Sequence, residues 1–204
     1  MPTPWRRGLY KEIERLDLSG KVLDLGGSRK SGYHELIKGT HTIEVANLDE
    51  SSGLNIKCDL EKPFPITDSS YDSLLAFNVI EHIFNYQGFF MECHRVLKSK
   101  GQLIIGVPFL MHVHPSPHDY WRYTEETLRK ILEIAKFNNI TITPVGNGLL
   151  TASVQHLSGI LRFAPIRVVL EYTAKFLDAI LSLFSPREKL KKMYPMGYFV
   201  IAHK

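Results

Sequence analysis

An α/β domain with a mostly parallel sheet is the fold class the sequence predicts, and three observations predict it. Short apolar runs of strand length alternate with segments of helical periodicity. The glycine pair Gly26-Gly27 closes the first of these runs, and Asp49 and Asn78 close the next two. Alternation of this kind builds βαβ units, whose sheets bind ligands beyond the carboxyl ends of the strands. Chemistry is therefore sought in the strand-end loops.

Taken in order, Trp5, Leu9, Ile13 and Leu16 recur at helical spacing before Ser19-Gly20, which makes residues 1–18 an amphipathic N-terminal helix. Lys21 to Leu25 reads as the first strand, with a weaker helical segment at Tyr33 to Ile37. Thr42 to Asp49 and Tyr71 to Asn78 read as the next two strands, and the prolines of KCDLEKPFPITDSS between them favour loop. Gln87 to Leu97 puts Phe89, Phe90, Cys93, Val96 and Leu97 on one helical face. The run Lys98 to Gly101 signals a turn, and Gly101 to Pro108 a buried strand. Thr124 is placed to cap a helix that opens with Glu125 and Glu126 and buries Leu128, Ile131, Leu132 and Ala135. Asn139 to Pro144 and Gly197 to His203 close the set of strands.

One domain spans 1–204: the helix at 1–18, a central part at 19–148, an apolar helical insert at 149–192 and the last strand within 193–204. Within the insert, Leu149 to about Ser185 reads as a helical pair, with Val169, Tyr172, Phe176, Ile180, Leu183 and Phe184 at helical spacing. Core packing, a lid, a dimer surface and a membrane-surface helix all suit it. Between Val168 and Phe184 the polar residues Glu171, Lys175, Asp178 and Ser182 keep to one side, and Arg187, Lys189, Lys191 and Lys192 follow with only Glu188 opposing. An amphipathic helix beside a basic cluster is suited to anionic lipid, so peripheral membrane contact through 168–192 is an expectation.

Composition narrows the classes. With 204 residues, 44% hydrophobic and 23% charged, the chain is of a size and make-up to bury a core, which excludes disordered and fibrous classes. A net charge of +4 is too weakly basic to imply a nucleic-acid partner. Cys58 and Cys93 have neither disulfide nor zinc spacing, which points to a reducing compartment. No signal-peptide pattern or membrane-spanning run is read, so the expected location is the cytoplasm, with the inner face of the membrane as its peripheral variant.

Three constellations lie at the strand ends. Val22-Leu-Asp-Leu-Gly-Gly27 allows close approach of backbone to a ligand, with Asp24 available to an ammonium, although a bland strand-turn-helix uses the same glycines. Asp49 stands near the roughly 20-residue spacing at which an acid grips ribose hydroxyls, or is a solvated turn acid. Cys58-Asp-Leu60 and Pro63-Phe-Pro65 lead into YDSLLAFNVIEHI.

In that order, and with HRVLKSKGQLIIGVP following, these segments resemble the class I S-adenosylmethionine-dependent methyltransferases of the type 11 kind, over about Lys21 to Pro108. The resemblance implies a Rossmann-like seven-stranded sheet with an antiparallel last strand, helices on both faces and S-adenosylmethionine as cofactor. It implies that Asp24 and Gly26 contact the methionyl end, Asp49 holds the ribose, and Asp59 and Leu60 flank the adenine. Asn78 and Val79 would lie under the sulfonium, with His82 just beyond. The glycines of this chain depart from the alternate-glycine pattern of the family, which leaves the contacts of Gly27 and Ser28 open.

Directly after the fifth strand stands Met111-His-Val-His-Pro-Ser-Pro-His-Asp-Tyr-Trp-Arg-Tyr-Thr124. A similar segment marks methyltransferases associated with surface-glycan biosynthesis clusters, so the implied reaction is O-methylation of a glycan or lipid-linked sugar. An alcohol acceptor must lose its proton, which makes His112, His114 and His118 candidate bases and Asp119 a candidate orienter. Tyr120 and Trp121 can wall an acceptor, and Arg122 can bind an acidic group on it. No metal site is expected, because Pro115 and Pro117 favour an extended loop and no carboxylate-rich partner motif is evident. A small aromatic or quinone-like acceptor is the alternative within the class. A non-catalytic cofactor-binding subunit is the alternative outside it. Oligomeric state is left open.

Overall fold

The computed structural model describes residues 3–157 and 163–204. The part of the insert at 158–162 lies outside the described residues. The elements are α1 (Pro4–Ile13), β1 (Gly20–Leu25), β2 (His41–Asn47), β3 (Ile56–Lys57), β4 (Tyr71–Phe77), α2 (Tyr86–Val96), β5 (Leu97–Pro108), α3 (Glu125–Ile134), β6 (Asn138–Val145), α4 (Leu149–Leu157), α5 (Ala164–Leu181), α6 (Arg187–Met193) and β7 (Gly197–His203).

The sheet order is β3-β2-β1-β4-β5-β7-β6. Pairing is parallel from β3 through β5, and β7 runs antiparallel to both β5 and β6. This is the Rossmann-like seven-stranded sheet with an antiparallel last strand that the resemblance implies. The strand order reverses between β1 and β4, the switch point where sheets of this type open a crevice.

Alternation along the strands supplies two cores. Leu23, Leu25, Leu74, Ala76, Leu103 and Ile105 face α2 and α3. Val22, Leu75, Phe77 and Ile104 face α1, which buries Trp5, Leu9 and Ile13. With both faces covered, the central strands are near-continuously apolar, as parallel sheets require. The helix starts are capped as their sequences suggest: Thr3 ahead of Pro4, Asn85 onto the Gly88 amide and Thr124 onto the Thr127 amide.

The structure departs from the sequence reading in three places. β2 ends at Asn47, and Asp49 instead caps a short 3-10 turn over Glu50–Ser52. The helical segment at 33–37 shrinks to a 3-10 turn at His34–Leu36. β5 begins at Leu97 rather than Gly101, because Leu97 pairs with Tyr71 and Lys98 reaches Asp72 at 2.8 Å, with a register shift absorbed between Tyr71 and Ser73.

Among the described residues of the insert, α4 and α5 fall within the stretch from Leu149 to about Ser185 that reads as a helical pair, α6 follows them, and α5 turns its charged face inward. Glu171, Ala174 and Asp178 are buried, whereas Val169, Tyr172, Phe176, Leu183 and Phe184 are each more than 60% exposed. Asp178 accepts from the Leu150 and Thr151 amides at 3.1 and 2.9 Å and from the Thr151 hydroxyl at 2.6 Å. A remote carboxylate thus satisfies the orphan amides and the dipole at the start of α4. Gly148 must be glycine here, since a Cβ would stand 2.8 Å from the Asp178 carboxyl carbon. Glu171 pairs with Arg7 of α1 and with Lys175. Those buried polar contacts outcompete core packing of the apolar face, which is left on the surface. Among the described residues, no helix is long and apolar enough to cross a membrane.

Candidate functional site

The loops after β1, β2, β3 and β4 enclose a cavity of about 590 Å³ at the switch point, within the usual range for small-molecule sites. Gly26, Asp49, Asp59, Leu60, Asn78, Val79 and His82 line it, as do Asn47, Leu48 and Glu61. Ser116, Pro117 and His118 approach from the loop after β5.

Asp24 lies behind this wall, fully buried. Its Oδ2 accepts from the Tyr33 hydroxyl at 2.7 Å and meets His34 Nε2 at 2.7 Å, while Oδ1 has no donor. Burial raises the pKa of this carboxyl, and the His34 and Tyr33 hydrogen bonds oppose that rise. Gly27 covers it so closely that a Cβ there would fall 1.8 Å from Oδ2. Gly26, at φ 74°, would put a Cβ 2.8 Å from Val79. Both glycines therefore carry a steric requirement. A buried carboxylate oxygen without a donor is costly alone and is matched by an ammonium group.

Asn47 ties the rim together: its amide donates to the Gly27 carbonyl at 2.7 Å, and its oxygen accepts from the Asp49 amide at 3.0 Å. Asp49 is exposed and accepts from the amide and hydroxyl of Ser51, which lowers its pKa. A carboxylate offers about four acceptor positions, so two are left for hydroxyls. Asp59 pairs with Lys62 at 2.9 Å, and Leu60 and Val79 give apolar walls suited to a base. Asn78 takes the left-handed conformation at φ 54°, and its Oδ1 accepts from the Trp5 indole at 2.7 Å. The S-adenosylmethionine implied by the resemblance fits this donor set, on the orphaned Asp24 oxygen above all.

The loop after β5 separates its residues into two groups. Arg122 grips Asp119 through two parallel contacts at 2.6 and 2.7 Å and donates to the carbonyls of Trp121 and His112. The guanidinium holds the Asp119 pKa well below the carboxylate range. Asp119 also accepts from the His114 amide at 2.8 Å. Arg122 is thus engaged within its own loop rather than presented to an acidic acceptor. Asp119 likewise holds backbone and guanidinium, with the His114 ring nitrogen farther off at 3.4 Å.

The Trp121 indole donates to the Ile83 carbonyl at 2.9 Å, and the amides of Tyr120 and Trp121 both point to the Glu81 carbonyl. Tyr120 itself is exposed and packs edge-on to exposed Phe84, with the His118 ring 5.4 Å away. Of the three loop histidines, His118 alone lines the cavity. His112 is exposed and contributes its carbonyl to His114 and Arg122.

Glu81 is the residue the sequence reading leaves unassigned. Its carboxylate is fully buried with no hydrogen-bond donor on either oxygen. His82 Nε2 stands 3.7 Å and His114 Nε2 3.8 Å from its Oε1. The Glu81 carboxylate raises the His114 pKa, against partial burial. Where the sequence reading expects no metal, the fold brings His114 to the Glu81-His82 pair despite their distance in the chain. Asn47, Glu61, Phe84 and Trp5 also escape that reading. Asn47 ends β2 two residues before Asp49, inside the run that reads as that strand in the sequence, and could have been found there; the other three carry no local signal.

Residues 5–105 match the family model described as methyltransferase domain. No curated protein matches the chain. Among solved structures, a SAM-dependent methyltransferase from Archaeoglobus fulgidus is similar at 18% identity and a TM-score of 0.60, covering 96% of this chain and 91% of that one. A Haemonchus contortus phosphoethanolamine N-methyltransferase 2, in complex with phosphomonomethylethanolamine and S-adenosylhomocysteine, is 16% identical at a TM-score of 0.58. The alignment covers 98% of this chain and 52% of that protein, so the chain spans about half its length. A Burkholderia thailandensis 1,6-didemethyltoxoflavin-N1-methyltransferase, with that substrate and S-adenosylhomocysteine bound, is 15% identical at 0.55, over 98% and 78%. At these identities the likeness is one of fold.

Proposed function

We propose an acceptor chemistry for a chain that, by its matched domain and its sheet, is an S-adenosylmethionine-dependent methyltransferase: transfer of the methyl group to a hydroxyl of a glycan or lipid-linked sugar. The observation that carries this reading is His118, a histidine that lines the same cavity as Gly26, Asn78 and Val79. S-adenosylmethionine supplies, when bound, a methyl carbon on sulfonium; the acceptor oxygen gains the new C–O bond and the C–S electron pair returns to sulfur.

The residues of the chain align and deprotonate. Asp24 and Gly26 would seat the methionyl end, Asp49 the ribose, and Asp59 and Leu60 the adenine. Asn78 and Val79 would sit beneath the sulfur, where Trp5 fixes the Asn78 side chain. His118 would take the hydroxyl proton, a step worth about 10²–10⁴ in rate when the base is well placed. Alignment supplies the larger share, since in-line displacement rewards a fixed attack geometry. Exposed Phe84 and Tyr120 form an aromatic rim suited to a sugar face, and equally to a small aromatic ring.

Two measurements test the reading. Calorimetric titration with S-adenosylhomocysteine, beside Asp49→Ala and with NADH as competitor, is expected to give micromolar binding lost in the variant; binding of NADH alone would overturn the cofactor assignment. Labelled-methyl transfer to sugars, lipid-linked sugars, phenols and quinols then decides the acceptor. Transfer to phenols or quinols alone would replace the glycan reading by the aromatic one.

The inside-out α5 supports a second element of the reading, peripheral contact of 168–192 with an anionic membrane surface from the cytoplasmic side. Its outward apolar side chains are followed in the chain by Lys189, Lys191 and Lys192, of which Lys191 pairs with Glu188, a combination of insertion and charge suited to such surfaces. A lipid-linked acceptor would then meet the enzyme where it is docked. Co-sedimentation with anionic vesicles tests it.

A further inference from the structure

We propose that Glu81, His82 and His114 form a binding site for one divalent transition-metal ion of the zinc class. His82 Nδ1 lies 2.5 Å from the His118 carbonyl, and His114 Nδ1 lies 3.0 Å from the His112 carbonyl. A carbonyl only accepts, so each Nδ1 carries the proton. In the neutral ring, each Nε2 is then a bare lone pair.

Both bare nitrogens face the same buried carboxylate. Their distances to Glu81 Oε1, 3.7 and 3.8 Å, are too long for hydrogen bonds. No other donor reaches either Glu81 oxygen. Two lone pairs and a carboxylate turned on one another repel unless a proton or a metal ion stands between them, and a proton on one ring serves that ring alone whereas one ion serves both. All three ligand atoms lie within 4.8 Å of one another. Around a tetrahedral ion with bonds of about 2.0–2.1 Å, ligand atoms stand about 3.3–3.4 Å apart, so the two nitrogen–oxygen separations must close by a few tenths of an ångström and the widest separation, at most 4.8 Å, by up to about 1.4 Å.

The surroundings match as well. Metal-bound histidines donate their other N–H to a carbonyl or carboxylate, which fixes the tautomer and the ring plane. Both rings here do so, and they meet edge to face at 5.2 Å. Two imidazoles with one carboxylate favour zinc, cobalt, iron or manganese over magnesium and calcium, which prefer all-oxygen sets. Three protein ligands leave a position open, and His82 reaches the cavity wall. The ligand class that completes the ion is water or an acceptor hydroxyl oxygen; this clause alone rests on the methyl-transfer reading.

The test uses tag-free full-length protein, stripped with chelator and dialysed, titrated with Zn²⁺ by calorimetry and with Co²⁺ by visible absorption. One equivalent is expected, with cobalt bands of a low-coordinate nitrogen–oxygen site. His114→Ala and Glu81→Gln are each expected to weaken Zn²⁺ by more than about a hundredfold, beyond the ~10–100-fold that loss of an orienting partner gives. S-adenosylhomocysteine titrations of the same samples serve as the folding control and are expected to change less than threefold. Absence of Zn²⁺ and Co²⁺ binding in protein that binds S-adenosylhomocysteine overturns the metal site and leaves the methyltransferase reading standing. Binding that survives both variants overturns it too, because the ion then sits elsewhere. Metal binding lost in the variants while S-adenosylhomocysteine fails to bind even the wild type would sustain the site and sink the cofactor reading.

Discussion

The indole N–H of Trp5, in the first helix, donates to Oδ1 of Asn78 at the end of β4, 2.7 Å away. Helix α1 is thereby tied to the floor of the cofactor cavity, at a residue whose backbone already sits at φ 54°. Trp5→Phe removes the donor and part of a buried ring. It is expected to cost about 1–3 kcal/mol in urea denaturation and to weaken S-adenosylhomocysteine several-fold. Asn78→Asp keeps both the acceptor and the tolerance for the left-handed region and should retain the tie. Equal affinity in Trp5→Phe would separate α1 from the site.

Asp24 and Gly27 make a second prediction. The free Oδ1 of Asp24 is expected to receive the ammonium of the cofactor, a charge-assisted bond worth roughly 1.5–3 kcal/mol. Asp24→Asn should therefore weaken S-adenosylhomocysteine at least tenfold while preserving the fold. Gly27→Ala should do so by a different route, since its methyl would displace the Asp24 carboxylate. Such overpacking costs about 1–3 kcal/mol in stability as well. An Asp24→Asn protein with unchanged affinity would place the ammonium elsewhere.

The histidines of the β5 loop are expected to part company in turnover. His118→Ala should lower kcat by about 10²–10⁴ with little change in cofactor affinity, as removal of a general base does. His112→Ala should fall within twofold of wild type, because its hydrogen bonds run through its carbonyl and its exposed ring meets only the edge of the His114 ring. Comparable losses in both variants would point to the loop's conformation rather than to a base. The comparison is best made with whichever acceptor takes up label.

The strand-end wall of the cavity was legible in the sequence because Gly26, Asp49 and Asn78 sit in short consecutive motifs that need only a strand, a turn and the next strand. β3 was not, since two residues of ladder leave no periodic trace. Glu81 and His114 meet only because β4 and β5 are neighbours in the sheet, a fact that no local pattern carries. The Arg122–Asp119 clasp lies within one turn of chain and could have been read as internal pairing. Helical periodicity located the apolar stripe of α5 but could not tell inside from outside. That choice was made by Arg7 and Thr151, from distant helices, capturing Glu171 and Asp178.

Acid should loosen one corner of the cavity first. Glu92 accepts from the Phe64 amide at 2.6 Å and from Arg95 at 2.7 and 2.8 Å, and Arg95 holds the Phe64 and Ile66 carbonyls. This clasp fixes the proline loop that follows Leu60. The Arg95 guanidinium lowers the Glu92 pKa from its ordinary 4.5. A depressed carboxylate contributes stability that is complete above its unfolded pKa and lost as pH falls through the folded one. Glu92→Gln should thus be less stable than wild type by about 1 kcal/mol at neutral pH, the pair being partly solvated. The gap should narrow as pH drops below about 4.5. Parallel urea curves at every pH would show that the ion pair contributes nothing.

The exposed apolar residues of α5 and of the turn that follows it separate surface from stability. Leu183 and Phe184 are 79% and 85% exposed, so a Leu183→Ser, Phe184→Ser double variant removes apolar area that the fold does not use. Its urea midpoint should match wild type, and its co-sedimentation with anionic vesicles should fall at least fivefold. Asp178→Ala is the converse case. It strips the start of α4 of the carboxylate that satisfies its amides, with an expected loss of about 1–3 kcal/mol and no direct effect on the apolar face. Vesicle binding should also weaken as salt rises, because the lysines that follow in the chain act through charge. Wild-type protein that stays in the supernatant with anionic vesicles at low salt would remove the membrane from the reading, and a concentration-dependent dimer lost in the double variant would put a second copy of the chain on that face.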